Sequence, residues 1–288
     1  MLLVFGAFDH CPQGDSRLIR LLAAATSLLL MTAAATNAAT VAPHRAVYDL
    51  TLSRATTGSV LSSAQGRLAF EIQGSTCEGW TVSFRMATRY TPAEGESSII
   101  DTRSTSFESG DALEFRHQMK EIVNADVKDD RRIKVSRPSI DVEGQGEIAG
   151  AEDKTFTIPA GSWLPMQHQI KLMALGEKGG GRDASVIYDG SDGEKTFRAI
   201  SFVGKTKPAG SIARDLSNPE AKPLSGLVAW PMTISYFPET GGEETPDYQV
   251  SFDMYENGVA TGLLLDYGAF ALTGTLAKLD MLEVPSCP

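Results

Sequence analysis

Beyond its first forty residues, the side chains of this 288-residue chain that could carry chemistry are few: His44, His117, His168, Cys77, Cys287 and a large set of carboxylates. The histidines stand 73 and 51 residues apart, with no second imidazole at helical or hairpin spacing. A zinc site needs its ligands clustered, so no metal or other cofactor is expected. His168 is the imidazole best placed to act as a polar handle, and a core or capping hydrogen bond is its expected role. Serine-hydrolase chemistry needs a nucleophile on a strained strand-to-helix elbow, and Gly-x-Ser-x-Gly does not occur. Gly144-Gln-Gly146-Glu-Ile-Ala149 matches a loose dinucleotide pattern. It leads into Asp153-Lys-Thr-Phe-Thr-Ile rather than an amphipathic helix, so no helix amino end would face a pyrophosphate. Asp189-Gly-Ser-Asp-Gly-Glu194 has oxygen ligands at the wrong spacing for calcium and reads as a hairpin turn. Gly179, Gly180 and Gly181 lack the Lys and Ser/Thr that a phosphate loop requires.

The carboxylates are harder to dismiss. With 36 acidic residues many pairs could serve glycoside hydrolysis, and only their separation in space would decide. Their main effect is a net charge of −10, which argues against nucleic acid as a partner because phosphate backbones are bound by surplus Lys and Arg. At 42% hydrophobic and 22% charged residues the composition is globular rather than disordered.

The amino end has the order of an export signal. Arg17 and Arg20 precede an apolar run over 21–31 and small residues over 32–40. Residues 1–39 are therefore expected to be a signal peptide, cleaved between 35 and 42, and 40–288 a single periplasmic domain. The apolar run is shorter than the roughly 20 residues that span a bilayer, and no later segment matches it, so no transmembrane segment is expected in the mature chain. Removing the leader removes Cys11 and leaves Cys77 and Cys287 in an oxidising compartment. One disulfide between them is the expected pairing, with two buried thiols or an intermolecular bridge as the alternatives.

The elements that must position these groups read as strands. Ala46, Tyr48, Leu50 and Leu52, and then Trp80, Val82, Phe84 and Met86, recur with period two among polar neighbours. Further strands are expected over 59–73, 97–108, 111–123, 126–136, 139–149, 184–189, 195–204, 228–237, 247–256, 259–267 and 270–284. Turn signals lie at Glu108-Ser109-Gly110-Asp111, Lys128-Asp129-Asp130, Ser191-Asp192-Gly193 and Asn257-Gly258. One helix is expected over 162–175, capped by Ser162, with Pro165 in its first turn and Gly176 or Gly179 as its stop. Residues 205–223, broken by Pro208, Gly210, Pro219 and Pro223, read as a long surface loop. A dozen or more mainly antiparallel strands would leave exposed edges unless the sheet curls. The expected fold is therefore all-β, a curled β-spiral or broken β-barrel with one or two short helices. Trp80, Trp163, Met166, His168, Trp230 and Phe237 are the bulky or polar groups that could form a ligand or partner surface on it, core packing being the alternative.

Several segments together resemble the EipB-like cell-envelope integrity family of Gram-negative periplasmic proteins: His44-Arg-Ala-Val-Tyr-Asp-Leu50, Cys77-Glu-Gly-Trp80, Pro159-Ala-Gly161 to Leu164-Pro165-x-x-His168, Tyr188-Asp-Gly190, Tyr248 to Asn257-Gly258, and Leu265-Asp-Tyr267. The resemblance implies a non-enzymatic periplasmic β-spiral or broken barrel that supports envelope integrity, with its disulfide at Cys77 and Cys287 and no catalytic residues. It also suggests a periplasmic protein partner, of tetratricopeptide-repeat type. A different class of function, a carrier or chaperone holding a lipid or lipoprotein inside the curved sheet, is the alternative, and a carbohydrate hydrolase is third.

Overall fold

The computed structural model describes residues 41–57, 59–238, 245–285 and 287, and the expected signal peptide lies outside them. Fourteen strands follow in chain order: β1 (His44–Ala55), β2 (Leu61–Ser75), β3 (Gly79–Pro92), β4 (Ser98–Glu108), β5 (Glu114–Val123), β6 (Asp126–Ser136), β7 (Gly144–Ala149), β8 (Lys154–Ile158), β9 (Gly181–Ile187), β10 (Phe197–Val203), β11 (Ala229–Pro238), β12 (Tyr248–Tyr255), β13 (Ala260–Asp266) and β14 (Phe270–Met281). Helix α1 (Pro165–Glu177) separates β8 from β9, and α2 (Ala213–Leu216) with a 3₁₀ turn (Pro219–Leu224) separates β10 from β11. No helix among the described residues is long and apolar enough to cross a membrane.

All fourteen strands form one antiparallel sheet in the order β8-β7-β6-β5-β4-β3-β2-β1-β14-β13-β12-β11-β10-β9. The strand that opens the chain sits near the middle, paired with β2 on one side and β14 on the other. The sheet is unclosed, with β8 and β9 as its edges, and this is the curled, barrel-like fold expected from the strand count. Unpaired edges attract other chains unless they are covered. Here one backbone bridge and a set of side-chain contacts do the covering. A single parallel bridge, Trp163 to Ile187, reaches β9 from the segment after β8. The loop 188–196 lies against β5 to β8, with Tyr188 edge-on to Phe115 at 5.9 Å and tilted against Phe156 at 5.5 Å. Arg131 donates to the Ser191 carbonyl, and Lys154 pairs with Glu194.

Period-two burial defines the inner face. On β1, His44, Ala46, Tyr48 and Leu50 are buried, while Arg45 and Asp49 between them lie on the outer face. The inner residues gather in three clusters. One centres on Tyr48, Leu50, Leu224, Leu265 and Leu272, a second on Ile72, Trp80, Met173, Trp230 and Met254, and a third on Phe115, Ile133, Ile158 and Tyr188.

Four local expectations need correction. Strand β8 is not foreshadowed, because five residues carry too little periodicity to stand out. The turn expected at Lys128-Asp129-Asp130 lies inside β6; the chain reverses instead at Asn124 and Ala125, which take φ of 51° and 75°. Ser162 does not cap α1: its hydroxyl donates to the Pro159 carbonyl, and the cap position is Leu164, which offers no side-chain acceptor. Finally, 205–223 is no mere surface loop. Ile212, Asp215 and Ala221 are buried, and Ile212 and Ala221 join the first cluster together with Leu224 just beyond the segment. Asp215 accepts from Tyr255 (2.9 Å) and Thr261 (2.7 Å), while Lys207 (2.6 Å) and Arg214 (2.5 Å) both donate to Asp253. Buried charges need such partners, and here they fasten the segment across β12 and β13.

Candidate functional site

Helix α1 lies against the inner face of the sheet and borders a cavity there. Pro165 is suited to a first helical turn because its missing N–H has no intrahelical partner there. The cap comes from another element. The Glu108 carboxylate, at the end of β4, accepts the Met166 N–H at 2.8 Å and the Gln167 N–H at 3.0 Å. Glu108 is 1% exposed, and burial pushes its carboxyl up to about 7 despite these two bonds and the nearby Arg137. Arg137, itself buried, donates to the carbonyls of Ala112 and Ser162 and fixes the loop that leads into the helix.

Farther along, α1 buries Met166, His168, Leu172, Met173 and Gly176. Gly176 lets the Trp230 ring lie directly on the helix, since a Cβ there would fall 2.5 Å from the indole. The Trp230 N–H donates to Thr206. Lys171 places its ammonium 4.3 Å from the Trp163 ring centre and 2.6 Å from Asp183. Ser185 accepts from Lys171 and donates to Asp183, so its proton is not available to His168. His168 Nε2 lies 3.5 Å from Asp183, but burial outweighs that carboxylate and pushes the imidazole down to about 4. The group is a neutral, fixed polar contact, not an activated base beside a nucleophile.

Between this helix and β11 and β12 is a cavity of about 230 Å³. Met232, Ile234, Val250, Phe252 and Met254 form its apolar wall, and His168, Gln169, Asp189 and Tyr236 bring polar atoms to it. From Tyr236 an aromatic ladder continues across the inner face. Tyr248 stacks on Tyr236 at 4.8 Å and 4°, Tyr267 follows at 5.9 Å, Phe270 at 5.1 Å and Tyr90 at 5.8 Å. Burial pushes the hydroxyls of Tyr236 and Tyr248 above their usual range, and Asp189 pushes both the same way. The arrangement can hold an apolar or amphipathic group with one polar end. Among the described residues no three His, Cys, Asp or Glu side chains are grouped to hold a metal ion.

Of the six residues expected as a surface, four are brought together in the core instead. Trp80, Met166 and Trp230 belong to the second core cluster and Trp163 packs against it. His168 borders the cavity. Phe237 lies on the outer face beneath the Arg198 guanidinium, 5.0 Å from its ring centre. His44 is buried, with Nδ1 2.8 Å from the Ala42 carbonyl oxygen. His117 stacks on Phe115 below Gly190, with neither ring nitrogen hydrogen-bonded within the described residues. Cys77 and Cys287 are joined, with Cα atoms 5.8 Å apart, tying the chain end to the β2–β3 turn. Glu108, Asp183 and the tyrosine ladder were not singled out by sequence. Inward parity on β11 and β12 could have flagged Tyr236 and Tyr248, but nothing local connects Glu108 to Met166, 58 residues later.

A family model described as EipB-like matches residues 35–283. The chain is 31% identical to a protein named cell envelope integrity protein EipB from Brucella abortus (strain 2308), over 93% of this chain and 96% of the relative. It is also similar to a solved structure described as a beta-barrel-like protein of domain of unknown function DUF1849 from Brucella abortus. That similarity has a TM-score of 0.77 and 29% identity, over 84% of this chain and 99% of the other.

Proposed function

The chain belongs to the EipB-like family, and from that premise we propose that it is exported to the periplasm and supports the cell envelope there through contacts with another protein, without catalysis. The observation that carries this reading is the near full-length similarity to a relative named for cell envelope integrity. A role in envelope integrity follows from that relationship; the periplasmic location and the contact mechanism are the proposed part. The paired Cys77 and Cys287 support an oxidising compartment. A tetratricopeptide-repeat partner is what the family resemblance suggests. The test is deletion of the gene, with detergent resistance as the readout and crosslinking of the tagged chain in whole cells alongside. Loss of resistance, restored by the intact gene, and one stoichiometric crosslinked protein are expected. Unchanged resistance would remove the envelope role, and lost resistance without any crosslinked protein would remove the contact mechanism.

One observation favours a second reading. The apolar cavity beside His168 and Asp189 supports a carrier that holds part of an amphipathic ligand. At about 230 Å³ it is smaller than the roughly 300–1,000 Å³ of most ligand pockets, so it suits a chain segment rather than a whole lipid. Native mass spectra of chain purified from the periplasm, beside a delipidated sample, separate the readings. A stoichiometric lipid mass lost in Val250→Trp supports the carrier, and a clean apo mass supports the contact role.

A further inference from the structure

The outer face of β1 to β5 carries a groove unrelated to the helix cavity. Phe70, Phe84 and Met86 pack against the core from these strands, so their sequence neighbours point outward. The strand register lines those neighbours up in rows. Ser83, Thr105 and Gln118 are consecutive cross-strand partners, and so are Arg85, Arg103 and Lys120 in the next row. The two rows border one open groove of about 420 Å³, which Ala69, Phe70, Phe84 and the Arg45–Glu71 ion pair also line, with Arg85, Arg103 and Lys120 along one wall.

That wall goes against what the sheet alone would favour. Like charges directly opposite each other destabilise a pair of strands, yet Arg85 faces Arg103 and Arg103 faces Lys120. One carboxylate, Asp101, serves both guanidiniums, at 2.9 Å and 2.6 Å, and is held down to about 2 by them. Lys120 pairs with Asp130 at 3.2 Å, so two carboxylates serve three cations. Positive charge therefore remains in surplus along this row, on a chain whose net charge is −10. Composition does not account for such a row.

We propose that this groove docks the phosphate-bearing headgroups of an anionic phospholipid surface. Guanidinium forks match phosphate oxygens in two-point geometry, and the Ser83 and Thr105 hydroxyls and the Gln118 amide add neutral donors beside them. The openness of the site selects the source of the phosphate. Arg85, Arg103 and Lys120 keep 55%, 49% and 40% of their side-chain surface exposed, so a free phosphate ion would stay largely hydrated and be held weakly. A membrane presents many headgroups at once, and weak contacts then add. With strands about 4.8 Å apart, the row from Arg85 to Lys120 extends about 10 Å, long enough to meet more than one headgroup.

The experiment is co-sedimentation of the mature chain with phosphatidylcholine vesicles, with and without phosphatidylglycerol, at low and high salt. Binding only to the anionic vesicles, weakened by salt, is expected. Each cation near an anionic surface contributes about fivefold to partition, so Arg85→Gln/Arg103→Gln/Lys120→Gln should lose at least about tenfold. Because that variant leaves Asp101 bare, Lys120→Glu is measured beside it. This keeps the Arg85–Asp101–Arg103 cluster and should still weaken binding, while Arg85→Lys/Arg103→Lys, which keeps the charge but not the forks, should lose less than the triple variant. Equal binding to neutral vesicles, or unaltered binding by Lys120→Glu in a chain that melts like the wild type, would overturn the proposal. So would saturable binding of inorganic phosphate at the groove without vesicle binding, which would assign it to a soluble phosphate instead.

Discussion

Glu108 accepts the Met166 N–H at 2.8 Å, so the last residue of β4 caps a helix that begins 57 residues later in the chain. The same carboxyl is buried and pushed up to about 7, from an ordinary value of 4.5. Four consequences of the structure can be tested.

The first is a pH dependence of stability. Between pH 4.5 and 7 the folded protein holds a proton on Glu108 that the unfolded chain releases, so this group adds stability as pH falls through that window, by about 3 kcal/mol in full. His168 works in the opposite sense. Its folded value, pushed down to about 4, lies below the ordinary 6.5, so its contribution is complete above 6.5 and is lost as pH falls toward 4. Urea unfolding between about pH 8 and 5 should show the stability of the wild type relative to Glu108→Gln increasing as pH falls. Parallel curves for the two proteins would show that Glu108 does not titrate in this window.

The disulfide closes a separation of 210 residues, for which the chain-entropy model gives about 5 kcal/mol as an upper figure. Cys287→Ser should therefore melt several degrees lower and be cut more readily by protease near the chain end. Identical melting of oxidised and reduced wild type would deny the bond a structural role.

Gly176 is the position where α1 touches Trp230 most closely. Gly176→Ala adds a methyl where no space exists, and overpacking of this kind costs about 1–3 kcal/mol even though alanine favours the helix. Tryptophan emission should shift to longer wavelength as the indole is displaced, together with a lower urea midpoint. An unshifted spectrum with unchanged stability would mean that the helix and indole separate without cost.

The seam between the sheet edges depends on side chains rather than a ladder. Arg131→Ala/Lys154→Ala removes the contacts to Ser191 and Glu194 while leaving Tyr188 packed on Phe115 and Phe156. Hydrogen exchange in 188–196 and β8 should rise, with a melting change worth less than about 2 kcal/mol, since exposed pairs contribute little. Unaltered exchange would show that the aromatic contacts and the Trp163–Ile187 bridge hold the seam without these side chains.

The fold was legible wherever a residue's own neighbours specify its environment. Tyr48 and Leu50 alternate with polar residues, and a half-buried strand follows from period two whatever it pairs with. Asn257-Gly258 marks a hairpin because Gly258 takes φ of 84° without penalty. A strand count too high for a flat sheet implied curling. The cysteine count offered a single intramolecular pairing, and the order of several short strings carried the family.

Only the tertiary structure decided what depends on partners distant in sequence. Ser162 looked like the helix cap because capping residues are normally local; the acceptor came from Glu108 because folding brought β4 to the helix end. Residues 205–223 looked like solvent-exposed loop because prolines and a glycine break local structure, yet Asp215 and Ala221 are buried by contacts with β12, β13 and the core that no short window contains. Trp80 and Trp230 were recognisable as large apolar groups, but whether they line a space or fill one depends on how closely α1 approaches. The same holds for Arg85, Arg103 and Lys120. Each is an unremarkable cation in its own strand, and only the register of three strands sets them side by side.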